Sequence, residues 1–260
     1  MEITGRPKTS VYYHIKDISL SKEKQEKIDE KTTSCLRKYN NEKRGQSQLG
    51  RSPKHFNKWT NDRVLLLGHL LFDGEVERHY CRYASSHEVL VNRVINLMQN
   101  QVYPYEPKID KSDKTGVTKV SFYNVELGTY MRKKQQGLLD GVAELSSDNQ
   151  LKFLTAFFDD EGCVEHREEY NIRRVRGYQD NMDILEIVQK LLSNFDVDAT
   201  IRENTCNEIV ISHRKDLRAF QEKINFSPGV KLNSDRANSV WNESLEKREI
   251  LARAIDSYQT

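Results

Sequence analysis

The chain has 260 residues, of which 31% are charged and 37% are hydrophobic, and its net charge is only +2. This composition excludes a disordered chain and a protein that binds nucleic acid through overall positive charge. No apolar run reaches the ~18 residues of a membrane span, no signal peptide is recognisable, and the four cysteines lack zinc-ligand spacing. We therefore expect a cytoplasmic protein with reduced thiols and no membrane partner.

Residues 1–60 differ in composition from the rest of the chain. Apolar residues follow Ser10 at roughly helical spacing, which predicts a short capped helix. The following segment is rich in Lys, Glu, Asn, Ser and Gln, and it predicts a helix at about 21–38 and then a tether or extended arm. We therefore assign residues 1–60 to a helical N-terminal segment with a linker.

Residues 61–148 carry a new pattern of elements. The stretch NDRVLLLGHLLFDGEVE predicts an apolar helix that begins at Asn61 or Asp62 as N-cap and ends at Asp73 and Gly74. A short strand region, EVERHYCRYA, and an amphipathic helix, SHEVLVNRVINLMQ, follow it. Two strands on either side of the turn KSDKTG come next, and a helix from about Val125 to Leu138 closes the region.

Residues 149–260 repeat this order and add a C-terminal helix. An apolar helix, NQLKFLTAFFDDEG, precedes a predicted hairpin, CVEHREEYNIRRVRGYQ. The helix NMDILEIVQKLLSNF, the strands DATIREN and NEIVISH, and the helix DLRAFQEKINF follow. The order αββαββα thus occurs twice, and the two acid-Gly helix ends lie 88 residues apart. We predict an α+β fold of two tandem repeats, 61–148 and 149–260.

The two repeated helices share the features of a closely packed pair. Gly68 and Ala156 each lie five positions before the final acid, and such small residues let helix backbones approach each other. If the helices pack together, the C-terminal acids Asp73 and Glu161 meet, although helix C-termini disfavour negative charge. A hard divalent cation such as Mg²⁺ would relieve this repulsion. The alternative interpretation is that each acid-Gly pair is a plain helix C-cap.

The motifs FLTAFFDDEGCV and, more loosely, LLLGHLLFDGEV resemble the paired motif of LAGLIDADG homing endonucleases, and the resemblance covers about residues 61–245. It implies a single-chain pseudo-dimer whose two saddle-shaped antiparallel sheets lie along the DNA major groove. It also implies that Asp73 and Glu161 bind Mg²⁺ or Mn²⁺ for hydrolysis of one phosphodiester in each strand of a long duplex site. The protein would then act as a monomer on double-stranded DNA.

On such a fold the strands would offer a DNA-binding surface. A two-stranded ribbon fits the major groove, and arginine reads guanine with two hydrogen bonds. We predict that Cys163, Glu165 and Arg167 share the DNA-facing side of their strand. The alternative for the arginine-rich hairpin is a solvated outer face. The predicted DNA-binding residues are Arg78, Arg82, Lys119, Arg167, Arg173, Arg174, Arg176, Tyr178 and Arg202, with His79, Lys108, Lys111 and Lys114 nearby.

The sequence departs from the family pattern in its polar and basic residues. The family usually has Gln or Asn entering the second helix of each repeat, with a base nearby, and the resemblance assigns this water-placing role to Gln179. Asp180 follows it in place of a base, and the first repeat has Ser85 and Ser86 instead. Lys231 is our candidate for the basic catalytic residue, and a solvated loop lysine is the alternative.

The segment KTSVYYHIKDI resembles the recognition helix of a helix-turn-helix, which would place Lys8, Thr9, Ser10 and Tyr12 on base edges. A short amphipathic helix that docks on the main domain is the alternative. The basic residues of 37–60 would add phosphate or minor-groove contacts.

The amino-acid sequence is compatible with two functions. The first is a metal-dependent homing-type endonuclease, for which Asp73, Glu161, Gln179 and Lys231 are the candidate catalytic residues. The second is a non-catalytic, sequence-specific DNA-binding regulator or an RNA splicing helper with the same fold. Retention of an acid at both motif ends favours the endonuclease.

Overall fold

The computed structural model describes residues 51–203, 205–232 and 244–258, together with Ser21, Glu23, Glu26 and Lys27. Contacts divide the chain into two units, Met1–Arg51 and Ser52–Thr260, and every helix and strand named below lies in the second. The predicted recognition helix, and most of the predicted helix at 21–38 and of the basic arm, lie outside the described residues. Within the described part, no helix is long and apolar enough to cross a membrane.

The elements follow the predicted order. The first half contains α1 (Asn61–Phe72), β1 (Gly74–Glu77), β2 (Tyr80–Ser85), α2 (Glu88–Gln101), β3 (Lys108–Lys111), β4 (Thr118–Tyr123) and α3 (Val125–Gly141). The second half contains α4 (Ser147–Glu161), β5 (Gly162–Arg167), β6 (Ile172–Tyr178), α5 (Met182–Ser193), β7 (Thr200–Arg202), β8 (Glu208–Ile211), α6 (Arg214–Lys223) and α7 (Lys247–Asp256). The α+β class and the repeated order are therefore confirmed, while the repeat boundaries at 61, 148 and 149 stay a prediction.

Polar side chains fix several helix starts. Asn124 and Asn181 accept hydrogen bonds from backbone amides of the first turns of α3 and α5, as N-cap residues do. A capping box of Glu246 and Glu249 begins α7. The prediction that Asn61 or Asp62 caps α1 is wrong, because Thr60 is the N-cap and its side chain makes no cap hydrogen bond.

Two antiparallel four-stranded sheets have the same topology. The strand order is β1-β2-β4-β3 in the first sheet and β5-β6-β8-β7 in the second. The hairpins β1-β2 and β5-β6 start directly at the ends of α1 and α4. The later strands β4 and β8 pair with β2 and β6, and β3 and β7 form the opposite edges of the two sheets. Along β2 and β5, buried and half-buried residues alternate, so one face of each sheet packs on helices and the other is open.

The helices α1 and α4 pack against each other in the centre of the core. A Cβ atom added to Gly68 would lie 2.6 Å from the Cβ of Ala156, so the two small residues touch and the predicted close approach is confirmed. Phe72 packs edge-on against Phe153 and Phe157 on either side of this contact. The paired helices bring the two halves together at their C-terminal ends.

The glycines after the acids serve a close approach of the backbone, and neither has a positive φ. A Cβ on Gly74 would lie 2.5 Å from the backbone of Leu70, and one on Gly162 would lie 2.3 Å from the carbonyl oxygen of Phe158. A left-handed C-cap is therefore excluded, because that motif needs φ near +60°. Each glycine lets a strand begin at once beside the helix, which places the preceding acid at the junction of helix and sheet.

Candidate metal centre and nucleic-acid interface

Asp73 and Glu161 occupy equivalent positions at the two helix ends. Asp73 is the C-cap of α1, and Glu161 is the last residue of α4. Burial raises the pKa of Asp73 from 3.8 to about 7, and repulsion by the charge of Asp160 adds to the effect. Burial also raises the pKa of Glu161 from 4.5 to about 8, with further repulsion from Asp73, Asp160 and Asp180. The effect of the Asp73 charge on Glu161 indicates that the two acids lie near each other.

The two carboxylates have no partner among the residues that the structure describes. Neither side chain makes a hydrogen bond or an ion pair there, although many nearby polar groups do. Asp73 is exposed to solvent, whereas its surroundings resemble those of a buried group. Both observations fit a carboxylate in a concave site, where protein atoms lie on most sides and water enters from one. Carboxylates in such a site are candidates for binding a cation.

The three consecutive acids of α4 have three different environments. Asp159 is buried, and it accepts hydrogen bonds from Arg93 Nη1 and the backbone amide of Ser227, each at 2.8 Å. Asp160 accepts one from Tyr83 Oη at 2.7 Å, and His69 Nδ1 lies 2.8 Å from its other oxygen. Only Glu161 is left without a partner among the described residues. Two of the acids therefore stabilise the packing of the two halves, and one belongs to the candidate site.

Lys247 is the basic residue that sequence reasoning missed. It begins α7, only 4% of it is exposed, and its Nζ donates to the backbone oxygen of Asp159 at 2.9 Å. Burial lowers its pKa, while the nearby acids oppose that shift. Its charge in turn lowers the pKa of Asp73 and of Glu161. A sequence signal existed, since lysine stands on the buried face of a helix whose other buried residues are apolar.

Lys231 follows helix α6, where the sequence predicted a basic residue. It is exposed, and its backbone forms an isolated bridge with Glu246. This bridge holds the start of α7 and thereby carries the neighbouring Lys247 towards the acids. The catalytic role of Lys231 stays a prediction, and Lys247 is a second basic candidate, which lies nearer the acids.

Gln179 lies between β6 and α5, so it enters the second helix of its repeat, as predicted. Its side-chain Oε1 accepts from the backbone amide of Asn181 at 3.2 Å, and its backbone amide donates to the backbone oxygen of Asn207 at 3.1 Å. The water-placing role stays a prediction. Asp180 is electrostatically coupled to Glu161, whereas Ser85 accepts locally from the amide of His87 at 3.2 Å. The polar surroundings of the two acids therefore differ.

The fit of a divalent cation rests on the chemistry of these donors. The described residues contain no group of three or more His, Cys, Asp and Glu placed to hold a metal. Mg²⁺ nevertheless binds commonly through one or two carboxylates, with waters and substrate phosphates completing its ligands. Asp73 and Glu161 offer two unpartnered carboxylates with raised pKa values, so the residues fit such an ion.

The open face of the second sheet is rich in arginine. Cys163, Glu165 and Arg167 share this face, as predicted. The register places Arg174 opposite Glu165 and Arg176 opposite Cys163, which puts both on the same face. Glu165 alone pairs with three arginines, Arg174 at 2.7 Å and Arg167 and Arg176 at 3.3 Å. The face therefore keeps a surplus of positive charge.

Three more residues complete this face, namely Tyr178, Glu208 and Arg202, which the register aligns across β6, β8 and β7. Arg176 pairs with the buried Glu208 and stacks over the ring of Tyr178 at 4.9 Å. Arg202 is exposed and makes no ion pair with any described residue. DNA contact by these residues stays a prediction, but their common face is what such contact requires.

Arg173 corrects the prediction for this strand. It lies opposite His166 on the helix-facing side, because neighbouring residues of a strand point to opposite faces. Its Nε donates to Ser257 Oγ at 2.6 Å, and its guanidinium stacks over the ring of Tyr258 at 4.7 Å. Arg173 therefore attaches the C-terminal region to the sheet and is not a DNA-facing residue.

The open face of the first sheet is balanced in charge. Three basic residues, Arg82, Lys108 and Lys119, and three acidic residues, Glu75, Glu77 and Asp110, share it by register. Arg82 pairs with Glu75 at 3.0 Å, and Lys108 pairs with Asp110 at 2.9 Å. Lys119 has no such partner among the described residues. The predicted contact residue Arg78 lies, exposed, in the turn between β1 and β2.

Comparisons with known proteins agree with this architecture. A sequence model of the LAGLIDADG-like domain matches residues 148–225. No curated protein is significantly similar in sequence. A structure from a study of mesophilic variants of the homing endonuclease I-DmoI is 20% identical and covers 65% of this chain and 94% of that chain, with a TM-score of 0.50.

Two further solved structures are similar. Full-length WhiA from Thermatoga maritima is 15% identical over 79% of this chain and 64% of that chain, with a TM-score of 0.52, so this chain spans just under two thirds of it. I-DmoI in complex with DNA and Mn is 18% identical over 63% of this chain and 96% of that chain, with a TM-score of 0.48.

The sequence match covers the second half of the chain from α4 to α6. At these identities the solved structures establish the fold, and the matched domain establishes the motif in the second half. Residues 148–225 thus match a LAGLIDADG-like domain, and the chain shares its fold with I-DmoI and WhiA.

Proposed function

We propose that this protein is a site-specific DNA endonuclease of the homing type, which hydrolyses both strands of a long, pseudo-palindromic duplex with Mg²⁺ or Mn²⁺. One observation carries the proposal. Asp73 and Glu161 meet at the ends of two packed helices, without partners among the described residues and with raised pKa values. Two partly buried carboxylates near each other destabilise the folded state in their charged form unless a cation neutralises them.

The residues around the pair have distinct tasks in this mechanism. Asp73 and Glu161 would hold the cation, which supplies a Lewis acid and lowers the pKa of a bound water. His69 and Tyr83 hold the carboxylate of Asp160, and so fix the end of α4 beside the pair. Lys247 brings a buried positive charge to the same place, where it would stabilise negative charge on a scissile phosphate.

The two open sheet faces would bind the DNA. Each belongs to one half of the chain, so one polypeptide would cover two similar half-sites and act as a monomer. The arginine-rich second face suits phosphates and guanine edges. A homing endonuclease is among the proteins with this fold, which supports duplex DNA as the partner.

The second candidate function is a non-catalytic, sequence-specific DNA-binding regulator, or an RNA splicing helper. The absence of any three-ligand metal group from the described residues favours it. The buried Lys247 beside the acid pair also favours the non-catalytic function, because its charge could neutralise the pair without a metal. The open sheet faces would serve either function.

Selection from a randomised duplex library tests the proposal. The protein is bound to the library in Ca²⁺, the retained duplexes are sequenced, and the bound pool is then placed in Mg²⁺. Asp73→Asn and Glu161→Gln are the test variants. Asp148→Asn is the matched control, since Asp148 is an exposed acid at the opposite end of α4.

We expect one long site to be enriched by all four proteins and to be cut by the native protein and by Asp148→Asn alone. An enriched site that stays intact with the native protein in Mg²⁺ and in Mn²⁺ would establish the non-catalytic candidate. Failure to enrich any duplex would reject both DNA functions and make RNA the next ligand to test.

A further inference from the structure

One end of the first sheet's open face carries two tyrosines side by side on the two central strands. Tyr80 on β2 and Tyr123 on β4 lie directly opposite in the register, with ring centroids 5.9 Å apart. Tyr123 is 45% exposed. Tyrosine is enriched at interfaces, because its ring supplies apolar contact area and its hydroxyl group a polar tip.

The basic groups around the tyrosines are already engaged. Arg82 donates to Glu75 at 3.0 Å and to Ser121 at 3.3 Å, and its guanidinium covers the ring of Tyr80 at 4.7 Å. Tyr80 also donates to Glu75, at 2.6 Å. A base edge that sought a hydrogen bond from Arg82 would have to replace these contacts. The accessible group at this end of the face is therefore the ring of Tyr123.

We infer that Tyr123, supported by Tyr80, recognises thymine methyl groups in the major groove of the half-site that the first sheet covers. The inference rests on the proposed binding of duplex DNA. In the major groove thymine presents an apolar methyl group, which apolar side chains contact. The charge balance of the face limits its attraction for phosphates, so apolar contact is the main interaction that it offers.

A duplex suits this face better than a single strand. The equivalent face of the second sheet belongs to the same unit and carries surplus arginines for a phosphate backbone. Two faces built on the same topology would contact the two halves of one duplex. The two half-sites would then be read by different chemistry, thymine methyl groups in one and hydrogen bonds from arginine in the other.

The test uses the full chain and the site obtained by library selection. Each thymine of that site is replaced in turn by 5-iododeoxyuridine, and irradiation followed by peptide mapping identifies the half-site that cross-links to β4. In a second set each thymine is replaced by deoxyuridine, which lacks the methyl group. Binding is measured in Ca²⁺ for the native protein, Tyr123→Ala, Tyr123→Phe and Ile109→Ala. Ile109 is the matched control, because it is an exposed apolar residue on the opposite face of the same sheet.

We expect at least one thymine of the first half-site to cross-link to Tyr123. Its replacement by deoxyuridine should weaken binding by the native protein about fourfold, as loss of one buried methyl group predicts. Tyr123→Ala should bind the unmodified site more weakly and be insensitive to the same replacement, since the two changes remove one contact. Tyr123→Phe and Ile109→Ala should behave like the native protein.

Equal sensitivity to deoxyuridine in Tyr123→Ala and in the native protein would overturn the inference and leave the proposed function intact. A first half-site without an enriched thymine would do the same. Failure to select any duplex would overturn both together, and it is recognisable before any tyrosine variant is made.

Discussion

The two sheets share one topology but differ in the chemistry of their open faces. In the second sheet one acid, Glu165, pairs with three arginines, whereas in the first sheet Arg82 and Lys108 each have an acid of their own. A backbone with the same strand order thus presents a basic face in one half and a balanced, aromatic face in the other. The register fixes which residues share a face, and the residue types at those positions decide what the face can bind.

The comparison extends to the helix ends. Both halves place an acid beside a strand start, but only the second half supplies a buried lysine, Lys247. His69 of the first half is the nearest counterpart, since its charge also lowers the pKa of Asp73. The two acids thus occupy equivalent positions in the two halves, but the residues around them differ. Four predictions test these differences between the two halves.

The largest expected effect comes from removal of the buried lysine. Lys247→Met should lower the rate of DNA cleavage on the order of 100-fold or more, because a positive charge near the scissile phosphate is lost. The measurement is single-turnover cleavage of the selected site. Lys231→Met is the comparison, and because Lys231 is exposed we expect its rate to stay within about twofold of the native rate. Equal losses in both variants would remove Lys247 from the candidate site.

The contact between the two halves offers the second test. Gly68→Val should destabilise the protein by roughly 2–3 kcal/mol, because even a Cβ atom there lies 2.6 Å from Ala156. Gly137→Ala is the matched change, since Gly137 lies in helix α3 with nothing within 4 Å of an added Cβ. That variant should gain about 0.5–1 kcal/mol. Urea unfolding measures both, and an unaffected Gly68→Val would show that α1 and α4 do not need their close approach.

The charge difference between the sheets predicts unequal losses of DNA affinity. The double variant Arg174→Gln, Arg176→Gln should weaken binding in Ca²⁺ about tenfold or more and reduce its salt dependence. Arg82→Gln in the first sheet should change affinity by about threefold or less, because Arg82 is held by Glu75. Titration at several salt concentrations measures the effects. A larger loss from Arg82→Gln would reverse the proposed division between the faces.

The smallest effect concerns pH. The folded, metal-free protein binds protons at Asp73 and Glu161 more tightly than the unfolded chain, because both pKa values are raised, to about 7 and about 8. Their stabilising contribution is complete below about pH 4 and is lost as the pH rises through these values. Glu161→Gln should therefore be more stable than the native protein at about pH 9, by roughly 1 kcal/mol after allowance for solvent screening.

Denaturant unfolding in a chelator at about pH 5 and about pH 9 measures this effect. Asp148→Asn, which changes an exposed acid, is the control and should not alter the pH dependence. A stability difference between Glu161→Gln and the native protein that is the same at both pH values would contradict the strained acid pair.

Much of the architecture could be predicted from local sequence patterns. The alternation along β5 identified the open face that carries Glu165 and Arg167, and the acid-Gly ends identified the paired helices. The error at Arg173 arose from treating a run of basic residues as one surface, although neighbouring strand residues face opposite sides. Sequence patterns did not indicate Lys247, because loop length does not reveal which lysine a chain reversal brings inward.

The two repeats, the α+β class and the positions of Asp73 and Glu161 could be predicted from the sequence alone, because hydrophobic period and helix-end residues act locally. The environment of Asp160, the burial of Lys247 and the pairing of arginines with Glu165 are seen only in the tertiary structure. These depend on contacts between residues far apart in the chain, which form when helices and strands pack. The packing also placed Tyr123 beside Tyr80, which no pattern within either strand could predict.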